Sequence, residues 1–187
     1  MNSVIETIKN RRSIRKYMPD QLKEDEINAI IEAGLYAPSA HNDQPWHFTV
    51  IQDKELMRQI SIDSKEAVKK VSKNATLQKM ASNEELDIFY GAPTIIVVSG
   101  EEKAMMPTID CAAATQNMLL AAESLGIGSC WNGLAAFLFQ GEGGDEYAKK
   151  LGLSQGYQPY YAVALGYKVS DVRRALPRRE GTVSYIR

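Results

Sequence analysis

Residues 108–125 read TIDCAAATQNMLLAAESL and run straight into GIGSCWNG at 126–133. The first stretch predicts a helix. It is rich in Ala, Leu and Met and carries no charge between Asp110 and Glu123. A helix apolar around most of its circumference is expected to be buried around most of it. A core of this size offers limited burial, so the helix asks for more cover than its own sheet, and a two-fold interface could supply it. Burial wholly within one chain is the alternative. Gly126 and Gly128 are expected to end the helix. The segment 128–133 then reads as a turn whose glycines allow the backbone to approach a planar ring closely. Taken alone, Trp131 is equally a core residue, and Cys130 a small buried hydrophobe.

Working outward, His47 to Gln52, Thr94 to Ser99 and Tyr160 to Gly166 read as strands, the second as a β-branched buried run. Residues 3–11 predict a short helix capped by Ser3, with Glu6 at capping-box spacing. Residues 23–36 predict another, with Ile27, Ile30, Ile31 and Leu35 at helical spacing. Residues 54–88 are helical in flavour, and 145–151 predict a short helix. Gly141-Glu142-Gly143-Gly144-Asp145 reads as a flexible loop, its acids unsuited to phosphate. Thr182 to Ile186 reads as a last strand, which gains order only by joining another sheet edge, such as a partner's. No repeat or linker interrupts the chain, so residues 1–187 are expected to form a single α+β domain.

The chain has a formal net charge of −1, with 44% hydrophobic and 24% charged residues. That balance argues against a nucleic-acid binder working through a broad basic field. No apolar run approaches a membrane span, and the N-terminus lacks a signal-peptide core, so a cytoplasmic address is expected. Cys111 and Cys130 have no metal-ligand spacing, and His41 and His47 are the only histidines, so no metal site is expected. There is no Walker loop, no nucleophile elbow and no G-x-G-x-x-G after a strand. Neither paired carboxylates nor a Ser/His set suggests acid–base or nucleophilic chemistry.

Three polar clusters remain. Arg11, Arg12, Ser13 and Arg15 offer several donors within five residues, and the planar guanidinium fork suits phosphate. A solvated charged loop is the plain alternative. Arg178-Arg179 poses the same choice. The loop from Pro38 to Trp46 sets Ser39, Asn42 and Gln44 between prolines, a way to present polar groups at low entropic cost. It could equally be an ordinary turn-rich connection.

Together, R-R-S-x-R at 11–15, P-S-x-x-N-x-Q-P-W at 38–46, G-A-P at 91–93, the small-residue helix and G-x-G-x-x-W-x-G at 126–133 resemble the nitroreductase family of FMN-dependent oxidoreductases. The V-A-L-G-Y strand end and the Arg-containing tail extend the likeness to nearly the whole chain. The resemblance implies an α+β fold with a central, mainly antiparallel sheet flanked by helices. It also implies a homodimer that exchanges its C-terminal strands and holds two FMN sites at the interface. By that likeness Arg11, Arg12 and Ser13, with Arg178 or Arg179, would meet the phosphate and ribityl chain. Arg15 would sit at the pyrimidine edge. Pro38, Ser39 and Asn42 would come from the other subunit, and Cys130, Trp131, Asn132 and Gly133 would line the ring near N5. The flavin itself would carry the chemistry, from NAD(P)H to an electron-poor acceptor such as a nitroaromatic or quinone. A flavin-binding storage or redox-sensing module, or a domain for another phosphorylated ligand, are the competing readings. The chain is short beside the larger members of that family, leaving little room for a long substrate lid.

Overall fold

The computed structural model describes residues 2–170 and 175–187. Four strands form one antiparallel sheet: β1 (Trp46–Ile51), β2 (Thr94–Glu101), β3 (Ile127–Asn132) and β4 (Tyr157–Tyr167), in the order β1-β2-β4-β3. Alternate side chains leave the two faces of a strand, and both faces here are apolar. Ile95 and Val97 of β2 and Ala162 and Ala164 of β4 face one core; Ile96, Val98, Val163 and Leu165 face the other. The sheet is therefore covered twice. Helices α3 (Lys54–Val71), α4 (Ala75–Ala81), α6 (Ala135–Phe139) and α7 (Gly144–Lys150) cover the first face, α2 (Glu24–Leu35) and α5 (Pro107–Ser124) the second. No helix among the described residues is long and apolar enough to cross a membrane.

The apolar helix α5 is buried through Cys111, Ala114, Thr115, Met118, Leu119 and Ala122, against the sheet and α2. Gly34 lets α2 come close, since a side chain there would press on Met118 and Phe48. The expectation of burial on most sides is met only in part. Ala112, Ala113, Leu120 and Ala121 are half-buried, and Ile109 is exposed.

Several local expectations are corrected. The N-terminal helix α1 (Ser3–Asn10) is capped by Asn2, whose side chain accepts from the Val4 N–H at 2.9 Å, not by Ser3. Gly126 does end α5, at φ +75°, but residues 127–132 form the edge strand β3 rather than a turn. Short apolar and small-residue runs do not announce their period, so β3 is hidden by Gly128 within it and the glycines at 126 and 133 that flank it. Gly144 is not part of a flexible loop. It starts α7 and is buried so tightly that a Cβ would collide with the Phe139 carbonyl. Residues 182–186 form no strand; every described residue from 175 to 187 is exposed. A strand needs an edge to pair with, and this segment pairs with none among the described residues.

Candidate active site

The basic segment after α1 lies along the free edge of β3. Ser13 forms a parallel bridge with Ser129, and the Ile14 N–H donates to the Ser129 carbonyl at 2.9 Å. The segment then crosses to the end of β4, where Met18 N–H donates to the Tyr167 carbonyl at 2.9 Å. Two glycines make this docking possible. A Cβ on Gly128 would sit 2.9 Å from Ile14 Cγ2, and one on Gly166 would strike Pro93 and Tyr17. The G-A-P and V-A-L-G-Y motifs are thus halves of one contact.

This docking gathers Arg11, Ser13 and Arg15 around Cys130. Burial pushes the Cys130 thiol up, against the opposing pull of Arg15, a Ser13 hydrogen bond and Arg11. It is therefore a neutral thiol at physiological pH rather than a nucleophile. Arg15 lies 5.7 Å from the centre of the Tyr90 ring. Burial works against its charge, but the hydrogen bond to Tyr90 and the neighbouring Cys130, Tyr90 and Tyr17 groups leave its affinity for the proton raised. Arg12 spends one guanidinium nitrogen on the carbonyls of Lys9 and Arg11, at 2.8 and 2.6 Å. Its Nε is buried with no acceptor among the described residues. An unsatisfied cationic donor beside Arg11 and Ser13 is what an anionic ligand would relieve.

At the far end of β3, Trp131 is half-buried against Tyr161, ring centres 4.8 Å apart. The Asn132 side chain is committed to the protein. It donates to the Ile88 carbonyl at 2.6 Å and accepts from Ala135 N–H at 3.0 Å, leaving its main chain to face a ligand. Gly133 is exposed and borders open space. A planar ring could lie there without displacing a side chain. Among the described residues no group of His, Cys, Asp or Glu is arranged to hold a metal.

The loop carrying Pro38, Ser39 and Asn42 leads into β1, at the opposite edge of the sheet from β3. Three strand spacings, about 14 Å, separate the two edges. One chain therefore presents the two halves of the expected site in different places. Trp46, which closes the loop, is a core residue stacked on Phe48. His41, Asn42 and Gln44 all take left-handed backbone, at φ 50°, 60° and 47°. Each such residue costs about 1 kcal/mol or more, and the surroundings must over-determine it. The Gln44 N–H donates to Ser39 Oγ at 3.0 Å, and the Ala40 N–H to Asp110 Oδ1 at 3.1 Å.

Arg178 and Arg179 are exposed and do not join the cluster within their own chain. Tyr90, Tyr17 and Asp110 were not singled out in the sequence. Asp87 was the available signal for Tyr90: an Asp three residues before Tyr-Gly starts a turn. Its carboxylate accepts from Phe89 and Gly91 N–H and holds Tyr90 at φ 60°.

Comparison with known proteins bears on this geometry. A family model described as the nitroreductase family matches residues 8–167. An Archaeoglobus fulgidus protein, provisionally named NADH dehydrogenase/NAD(P)H nitroreductase, is 36% identical over 172 residues, covering 89% of this chain and 86% of its own. A Bacillus subtilis FMN reductase (NADPH) is 31% identical over 137 residues, covering 71% of this chain and 55% of its own. The crystal structure of a Bacteroides fragilis nitroreductase with bound FMN superposes with a TM-score of 0.89 at 36% identity, covering 100% of both chains.

Proposed function

The chain belongs to the nitroreductase family, and on that premise we propose that it is a homodimer passing electrons from NAD(P)H, through FMN, to an electron-poor acceptor such as a nitroaromatic or quinone. It is an FMN-dependent oxidoreductase. What carries the placement of the cofactor is the docking of residues 11–15 on β3, with the buried, acceptorless Nε of Arg12 beside Arg11 and Ser13.

The residues fit the group. FMN's phosphate carries nearly two negative charges, and Arg11, Arg12 and Ser13 are charge-assisted or hydroxyl donors suited to it. Arg178 or Arg179 of the partner's tail would complete that shell. When bound, the flavin supplies two-electron transfer. Arg15, held against Tyr90, would place a positive charge beside the ring's pyrimidine edge, where negative charge gathers on reduction. The main chain of residues 130–133 would hold the ring at N5, with Trp131 fixed against Tyr161 as its wall. No side chain is asked to act as general acid or base.

The dimer reading rests on exposed apolar surface. Helix α1 buries none of its residues, and Val4, Ile5 and Ile8 stay exposed. In the tail, Val183, Tyr185 and Ile186 are likewise bare. Surface of this kind marks an interface. Pairing two chains would also bring one chain's Pro38, Ser39 and Asn42 to the other's basic segment. The test is anaerobic reduction of the purified yellow protein by NADH and by NADPH, then a screen of acceptors for reoxidation. Rapid reduction with no acceptor turned over would leave a storage or sensing module in its place.

A further inference from the structure

Asp110 sits in the first turn of α5 and is only 4% exposed. Its Oδ1 accepts from the Ala40 N–H at 3.1 Å, while Oδ2, equally buried, has no partner among the described residues. A buried carboxylate with one oxygen unsatisfied is costly. It is bonded to Ala40, immediately after Ser39 and two residues before Asn42, at the origin of the left-handed turn.

That turn is short of other anchors at its start. The loop is closed by three bonds of its own, Asn42 N–H to the Ser39 carbonyl, Asp43 N–H to the Ala40 carbonyl and Gln44 N–H to Ser39 Oγ. Farther on, Asp43 accepts from Met105 N–H at 3.2 Å and Pro45 accepts from Glu101 N–H at 2.9 Å. Those ties fix the exit of the loop. The Asp110 bond ties its entry to α5, which packs against the sheet and α2. Left-handed backbone at His41, Asn42 and Gln44 has an alternative close at hand, the ordinary right-handed region, so an unanchored entry would let Ser39 and Asn42 turn away.

We propose that Asp110 is a positioning residue for the cofactor: by holding the Ala40 N–H it sets the pose in which Ser39 and Asn42 are presented to FMN bound by the partner subunit. The proposal rests on the shared-site reading above. It differs from the plain alternative, an acid stabilising the N-terminus of α5 through the helix dipole, in what the loop should feel. A dipole effect is lost equally on changing Asp110 to Asn or Ala and is indifferent to Ser39 and Asn42. A positioning effect keeps its acceptor in Asp110→Asn and acts only through the loop.

The experiment measures FMN release as dimeric holoprotein is diluted. Asp110→Ala should raise the dissociation constant about five- to twentyfold, the loss of one hydrogen bond to an anchoring charge, while Asp110→Asn stays within about threefold of wild type. Ser39→Ala/Asn42→Ala should weaken FMN itself, and adding Asp110→Ala to it should change little, less than about twofold. Visible circular dichroism of the bound flavin should shift in Asp110→Ala and return in Asp110→Asn. If Asp110→Ala does not fold, Asp110→Ser, whose hydroxyl is too short to reach Ala40, takes its place. Additive effects in the combined variant, equal damage from Asn and Ala, or wild-type affinity in Asp110→Ala would each overturn the proposal. Unchanged FMN affinity in Ser39→Ala/Asn42→Ala would instead bring down the shared-site reading, and this proposal with it.

Discussion

Two basic segments lie near the ends of this chain and have opposite fates. Residues 11–17 are pinned: bridges to Ser129 and Lys168 at either end, Ile14 against Gly128, and the Tyr17 hydroxyl donating to the carbonyls of Ile14 and Ala164. Residues 175–187 contain Arg178, Arg179 and Arg187 together with Leu176, Val183, Tyr185 and Ile186, and all are exposed. Arg187 lies over the ring of Tyr185, 5.5 Å from its centre. Both segments carry phosphate-type donors. Only the first has glycines on the sheet that clear a path for it. The second carries apolar side chains that its own chain does not cover, which is the composition of an arm made for another surface.

The comparison can be broken most severely at the tail. Deleting residues 178–187 should weaken dimerisation and FMN retention together, since the exposed apolar arm and the two arginines proposed for the phosphate leave at once. Sedimentation at low micromolar concentration, with flavin absorbance followed in the same run, reads both. A truncated protein that stays dimeric and fully yellow would show the tail to be idle.

Arg11→Ala attacks the pinned segment without touching the tail. A charge-assisted hydrogen bond contributes about 1.5–3 kcal/mol, so the FMN dissociation constant should rise roughly ten- to a hundredfold, with the dimer intact. Affinity unchanged at every salt concentration would remove Arg11 from the phosphate site.

Gly128→Ala tests the docking itself. The new methyl would meet Ile14 Cγ2 at 2.9 Å and the Gly166 carbonyl at 3.1 Å. Overpacking of this kind costs about 1–3 kcal/mol. A lower midpoint in chemical denaturation should accompany weaker FMN binding, as the basic segment is pushed off β3. Destabilisation with FMN affinity fully preserved would mean that the segment's register on the strand does not matter to the cofactor.

The smallest effect is electronic. Arg15→Ala should lower the flavin potential by a few tens of millivolts, since about 30 mV corresponds to 1.4 kcal/mol for a two-electron couple. Its cost in oxidised-FMN affinity should be less than that of Arg11→Ala. A properly loaded variant with an unshifted potential would place Arg15 elsewhere. Tyr90→Phe, which keeps the ring but loses the hydroxyl partner of Arg15, should shift the potential less than Arg15→Ala.

Much of this molecule was legible in the sequence where periodicity is strong. The helix seen as 108–125 spans Pro107–Ser124, that seen as 23–36 spans Glu24–Leu35, and the β-branched run at 94–99 heads a strand ending at Glu101. The family was legible too, in the order and spacing of motifs that the matching family model spans over residues 8–167. Less legible were β3, short and glycine-bearing, and α6, whose five residues AAFLF hold too little pattern to show a period. The acceptor stayed illegible, since a short chain offers few segments that shape a substrate.

By itself, the sequence determined the inventory: an α+β chain with an apolar helix, β-branched strands, and a basic cluster free of acid–base partners. Those properties are local, set by side-chain chemistry and spacing. Only the tertiary structure decided that residues 127–132 are an edge strand, that Gly128 and Gly166 are glycines because Ile14, Pro93 and Tyr17 pass over them, and that the loop leading into β1 and the basic segment on β3 lie at opposite edges of the sheet. It also decided that Asp110 faces Ala40, 70 positions away in the chain, and that the tail has no partner in its own sheet. Each of these depends on which surfaces meet across long loops, a choice made by packing a whole core on both faces of one sheet and by nothing in any single segment.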